Sequence, residues 1–139
     1  MENDELLHAE VTEAIIGAFF HVYNSLGVGF LEKVYQNAMA VSLRKQGFDV
    51  KTEFPIHVRF EGEIVGKYSA DLLVANCVIV EIKRSELTID AHEAQLANYL
   101  KATHVEVGLL LHFGNKPSFR RRIYMNDKKP HLKITSVPP

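Results

Sequence analysis

Three ionisable residues interrupt the most apolar part of the chain: Asp71, Glu81 and Lys83 stand beside Leu72-Leu73-Val74 and Val78-Ile79-Val80. Glu81 and Lys83 are two apart, which on a strand places both side chains on one face. If the two segments pair symmetrically about Asn76, Asp71 falls opposite Glu81, with Cβ atoms roughly 4.5–5.5 Å apart. Opposed carboxylates in an apolar setting are unfavourable without a positive partner. Lys83 would neutralise one charge, and is expected to pair with a carboxylate when no metal is bound. A divalent cation would neutralise the rest, and magnesium or manganese suits one or two carboxylates completed by water and substrate phosphate. That set of groups points to phosphodiester hydrolysis. The metal would polarise the phosphate and activate water; Lys83 would position or deprotonate that water, or steady the phosphate charge. The same spacing also fits a buried Asp–Lys–Glu cluster that only pins the sheet.

Further candidates lie on helical stretches. His92, Gln95 and Tyr99 recur at i, i+3, i+7 and share a face, with Leu96 and Leu100 turned away toward a core. Gln95 and Tyr99 could touch a phosphate or a catalytic group, with His92 beside them; a solvated polar stripe would read the same way. Glu32 opens a second helix, with Tyr35 one turn on. It is either a further acid aimed at the metal or a complement to the helix dipole. The remaining histidines (His8, His21, His57, His104, His112 and His131) show no metal-ligand spacing and read as structural. The single cysteine, Cys77, excludes an intramolecular disulfide and a multi-cysteine zinc site, and reads as a small packing residue.

The elements that must position these groups follow from periodicity. Asn3 reads as an N-cap, and apolar residues at helical spacing run from Leu7 to Leu26, stopped by Gly27. A second helix runs from Leu31 to Gly47. The period then changes to two. Val50–Phe60 reads as an edge strand because of Pro55, Glu61-Gly62 as a turn, Ile64–Val74 as the return strand, and Cys77–Lys83 as the next. Runs that are apolar on both faces belong to a sheet covered on both sides. Asp90 and Glu93 start a helix through Lys101; Val105–Phe113 and Phe119–Met125 read as strands. The order ααβββαββ describes one mixed-sheet α/β domain, residues 1–125, with an irregular tail at 126–139. The three central residues are expected at one edge of the sheet, with Gln95 and Glu32 facing the same cleft.

Composition agrees with one globular domain: 139 residues, 47% hydrophobic and 24% charged. No apolar run approaches a membrane span, and the acidic first residues do not resemble a secretory signal, so the expected address is the cytoplasm. The net charge of −1 hides an asymmetry. Five acids and no Lys or Arg occupy residues 1–13, whereas residues 116–139 hold seven basic residues against Asp127 alone. On a strand, Arg120 and Arg122 share one face and Arg121 takes the other. Arg120 and Arg122 could therefore track a phosphate backbone; alternatively these arginines pair with the acidic first helix.

Gly29-Phe30-Leu31-Glu32-Lys33-Val34-Tyr35 matches G-x-x-E-x-x-Y, and Asp71 followed by Glu81-Ile82-Lys83 matches D…E-x-K. Gln95-Leu96-Ala97-Asn98-Tyr99 matches Q-x-x-x-Y. With these elements in this order, from about Leu6 to Arg122, the chain resembles the GxxExxY family of the PD-(D/E)XK nuclease superfamily. The resemblance implies a restriction-endonuclease-like mixed sheet flanked by helices, with a metal site where two central strands diverge. It implies Asp71, Glu81 and the Ile82 carbonyl as metal ligands, Lys83 as the catalytic lysine, Glu32 as the helical acid, and Gln95 and Tyr99 on the accessory helix. The expected activity is metal-dependent hydrolysis of nucleic acid, of DNA above all. A catalytically silent nucleic-acid-binding or protein-interaction module on the same fold is the alternative, and a homodimer is left open.

Overall fold

A computed structural model of the chain describes residues 7–84 and 90–129. Helix α1 (Ala9–Leu26) begins after His8, which takes a left-handed φ of 56° at the N-cap; the expected cap Asn3 lies outside the described residues. Gly27, at φ 70°, ends the helix and donates its N–H to the Tyr23 carbonyl. Helix α2 (Glu32–Lys45) leads into β1 (Val50–Phe60), β2 (Glu63–Val74) and β3 (Val78–Lys83). Helix α3 (Asp90–Lys101) then crosses to β4 (Val107–Phe113), which returns as β5 (Pro117–Ile123). Strand β5 begins two residues earlier than its apolar pattern suggests, because an edge strand tolerates Pro117.

The five strands lie in chain order in one sheet. Only β3 and β4 are parallel; the other neighbours are antiparallel. The parallel pair requires a crossover, and α3 supplies it. Helices α1 and α2 cover one face. Their residues Ile15, Phe19, Tyr35 and Met39 pack with Leu72, Val80, Leu109 and Leu111. Helix α3 covers the other, where Leu96, Tyr99 and Leu100 pack with Ile56, Leu73, Ile79 and Leu110. Adjacent residues such as Ile79 and Val80 thus enter opposite cores, which is why these strands are apolar throughout. Burying each such side chain contributes roughly 1.5–3 kcal/mol.

Two details set the seat of α3. Gly108 lies under Leu96, so close that a Cβ there would sit 2.7 Å from Leu96 Cδ1. Beyond the sheet, Asn126–Lys128 forms a 3-10 turn. Lys129, fully buried, donates from Nζ to the Thr103 carbonyl at 3.0 Å and the Val105 carbonyl at 2.8 Å. The segment read as tail therefore starts as a clamp on the α3–β4 connection, a role that a lysine beside Pro130 does not advertise in sequence.

The sheet is unequal in length. Strands β2 and β3 pair only from Leu72 to Val74, whereas β1 and β2 stay paired out to Phe60 and Glu63. The β1–β2 hairpin thus runs on as a two-stranded ribbon past the point where β3 leaves it. Its turn residues Glu61 and Gly62 both have positive φ, 50° and 82°, as tight hairpins of this twist require.

Candidate active site

The turn between β2 and β3 carries positive φ at Ala75 and Asn76, and the Cys77 N–H closes it on the Val74 carbonyl at 3.0 Å. Cys77 itself packs half-buried against the α1–α2 core. The turn sets the register Val74↔Val78, Leu73↔Ile79, Leu72↔Val80. One pair further on, the strands part, and side chains take over the hydrogen bonding. Asp71 N–H donates to Glu81 Oε2 at 2.7 Å, and Ile82 N–H donates to Asp71 Oδ2 at 2.7 Å. Each carboxylate stands in for a strand carbonyl at the point of divergence. The pair lies inside the sheet, between its second and third strands, rather than at an edge.

Alternation places Asp71 with Leu73, and Glu81 and Lys83 with Ile79, on the α3 face. Among the described residues Lys83 pairs with no carboxylate: its Nζ donates to Gln95 Oε1 at 3.3 Å. The expected ion pair is not made because one oxygen of each carboxyl group already accepts a backbone amide, and burial with the Asp71 charge favours the neutral form of Glu81. Lys83 lies one residue pair beyond them, under the first half of α3. Its charge still reaches both acids.

Burial dominates the electrostatics. It raises the Asp71 pKa against the opposing pull of the Ile82 amide and Lys83. Glu81 is pushed up to about 8, first by burial and then by the Asp71 charge. Glu32, first residue of α2, is exposed, and its charge adds to the upward push on both acids. Glu32 thus lies within electrostatic reach of both acids, and it also complements the α2 dipole.

Tyr35 explains the spacing of the glycine, acid and tyrosine in this segment. Its ring is fully buried and stacks on Phe113 at 4.2 Å. Its hydroxyl donates to the Gly27 carbonyl at 2.6 Å and accepts the Phe30 N–H at 3.3 Å. The tyrosine closes the α1–α2 loop and so fixes where Glu32 starts. Two neighbours escaped the sequence reading. Glu53 on β1 takes a left-handed φ of 51° beside Asp71, pairs with Lys33 at 2.6 Å, and adds negative charge near Asp71. Gln36, one turn after Glu32, is buried with its Nε2 unpartnered among the described residues. Neither carries a local sequence signal.

On α3, Gln95 is at the site and His92 is close by, its ring centroid 6.2 Å from that of buried His112. Burial and the Lys83 charge lower the His92 pKa. Tyr99 departs from expectation: it is 4% exposed and sits in the core with Leu96 and Leu100. Its amphipathic ring joins the apolar stripe, so it backs the site instead of presenting a surface to nucleic acid. Burial, with the charges of Glu81 and Asp71, raises its hydroxyl to about 12.

The β5 arginines divide as alternation requires. Arg120 lies beside Leu110, which neighbours Glu81, so it occupies the same lateral row and face two strands away, about 10 Å. Arg122 shares that face but contacts Glu93 of α3 at 3.5 Å. Arg121 points to the other face and donates to the Leu7 carbonyl at 2.8 Å. Among the described residues, the contact toward the first helix thus falls to Arg121 of the three.

Among the described residues no three His, Cys, Asp or Glu side chains cluster as a ready metal cage. The donors at the point of divergence are hard oxygens, and each carboxylate commits one oxygen to an amide and keeps a second. That donor set fits a cation that takes one or two carboxylates and fills its shell with water and phosphate. Among the described residues no helix is long and apolar enough to cross a membrane.

Comparison with curated proteins gives no match. Among solved structures, the crystal structure of SSO0001 is similar, with a TM-score of 0.55 at 17% identity over 94% of this chain and 64% of that one. This chain thus spans less than two thirds of the length of that protein, and at this identity the likeness concerns the fold, a mixed sheet flanked by helices of the restriction-endonuclease-like kind. A family model described as the PD-(D/E)XK nuclease superfamily matches residues 9–123. The match runs from α1 through β5 and includes every element that bears on the Asp71–Glu81 pair: the chain belongs to the PD-(D/E)XK nuclease superfamily.

Proposed function

We propose that the chain is a divalent-metal-dependent nuclease of the GxxExxY type that hydrolyses phosphodiester bonds in DNA in the cytoplasm. The observation that carries this reading is the amide-bonded pair of Asp71 and Glu81 with Lys83 held alongside by Gln95. Asp71 and Glu81 would hold magnesium or manganese, joined by the Ile82 carbonyl, with Glu32 adding negative charge nearby. When bound, that ion supplies Lewis acidity at the phosphate and lowers the pKa of water. Lys83 Nζ orients the attacking water or meets the negative charge that develops on the phosphate. Gln95 fixes the lysine, which on a flexible stem would otherwise sample many positions. His92 stands close to Lys83, and Tyr99 backs the two acids. Arg120, and Arg122 when released from Glu93, would meet phosphates flanking the scissile bond without reading sequence.

The test is a panel of end-labelled single- and double-stranded DNA and RNA, incubated with magnesium, manganese or chelator. The reading expects cleavage of DNA that stops with chelator. Binding without cleavage under every metal condition would replace it with the silent nucleic-acid-binding module.

A further inference from the structure

The β1–β2 ribbon carries an aromatic side chain that the nuclease chemistry leaves unused. Tyr68 is 51% exposed, although it sits three residues from Asp71 on β2. Its register partner is buried Ile56, and its ring lies 5.9 Å from that of Tyr99. Both partners belong to the α3-side core, as does Ala70, so the strict alternation slips beside the left-handed Glu53 and Tyr68 lies on the α3 side of the ribbon, next to the Tyr99 ring that feels the charges of Glu81 and Asp71. Two residues back is Gly66, where a Cβ would come within 3.2 Å of Tyr68 Cε2. The absent side chain lets the tyrosine ring lie along the strand. At ~3.3 Å per residue, the Tyr68 Cα is about 10 Å along the strand from that of Asp71.

We propose that Tyr68 is a stacking platform for an unpaired base of single-stranded DNA whose backbone passes through the Asp71–Glu81 cleft. This rests on the nuclease reading and names the form of its substrate. Stacking on an aromatic side chain needs a base whose flat face is free, which a continuous duplex does not offer. Charge points the same way. Duplex binding without sequence preference comes mostly from many Lys and Arg contacts to phosphate. This chain has a net charge of −1, and two of its three β5 arginines are already engaged within the fold. The contrary reading is that Tyr68 merely covers the edge of Tyr99, which an aliphatic side chain would do as well.

The experiment compares wild type, Tyr68→Phe and Tyr68→Leu in binding a 12-nucleotide single strand and its blunt duplex, with calcium in place of magnesium. Melting temperatures serve as the control for folding. The expected result is single-strand affinity at least about fivefold weaker in Y68L than in wild type. Y68F should bind like wild type, and the duplex should not distinguish the three. A strand carrying 2-aminopurine should also change its fluorescence on binding wild type. Wild-type binding that Y68L reproduces within twofold, or a silent 2-aminopurine at every position, overturns the platform and leaves the nuclease reading standing. Wild type that binds neither DNA overturns both.

Discussion

Asp71 and Glu81 hold one another's strands at the point where β2 and β3 separate. Asp71 N–H donates to Glu81 Oε2, while Asp71 Oδ2 accepts the Ile82 N–H, both at 2.7 Å. Truncating either acid therefore does two things. It removes a candidate ligand and strands a part-buried amide, a loss of about 1–3 kcal/mol. Isosteric amides keep an acceptor oxygen and separate the two effects, so Asp71→Asn and Glu81→Gln are the informative variants.

The raised Glu81 pKa has a definite sign in stability. The folded protein holds this proton up to about pH 8, whereas the unfolded chain releases it near 4.5. The stabilisation is complete below the lower value and is lost as pH rises through the upper one. Asp71, also raised, acts in the same sense. Without metal, stability should fall across this window by on the order of a few kcal/mol, read as a falling melting temperature, and Glu81→Gln should flatten the curve. A wild type as flat as the variant would contradict the buried, protonated glutamate.

A cation at this pair must displace that proton, so its affinity should rise with pH toward 8. Magnesium or manganese should raise the melting temperature of wild type more at pH 8 than at pH 6. Asp71→Asn should lose most of the rise. Calorimetry that finds equal binding by wild type and Asp71→Asn would remove the site.

Gly108→Ala tests how α3 presents Gln95. The new Cβ would sit 2.7 Å from Leu96 Cδ1 and 3.1 Å from Cγ, inside a filled core. Repacking should cost about 1–3 kcal/mol and lift α3 from β4. Because Gln95 precedes Leu96, cleavage should fall further than stability accounts for at a temperature where the variant is fully folded. Unchanged cleavage would mean that α3 does not position Lys83.

Arg120 and Arg122 should differ. Arg120→Ala should weaken DNA binding alike on all sequences and reduce the salt slope by about one. Arg122→Ala should do less, since Glu93 already engages that side chain. Equal effects in titrations at several salt concentrations would show that the Glu93 contact yields to phosphate.

Much of this arrangement was legible because strand geometry is short-ranged. A tight turn around Asn76 fixes the register, and register alone brings Asp71 to Glu81. Alternation likewise separates Arg121 from Arg120 and Arg122. The partner of Lys83 was not legible, because it depends on how far two strands part and where a helix lands. Tyr99 misled for a related reason: helical spacing places it near both stripes of α3, and only packing on Ile56, Ile79 and Leu110 assigns it to the core. Glu53 owes its place to a left-handed backbone angle that no glycine or asparagine announces. Lys129 is held by carbonyls of a loop more than twenty residues away.

The central claim is that Lys83 works beside a metal-binding carboxylate pair. Its most direct test is single-turnover cleavage of end-labelled DNA in magnesium by wild type and Lys83→Met, which keeps the stem and removes the charge. The account predicts that wild type cuts, that the variant is slower by about 100-fold or more, and that both melt alike and bind the metal alike. Cleavage by Lys83→Met at the wild-type rate would contradict it.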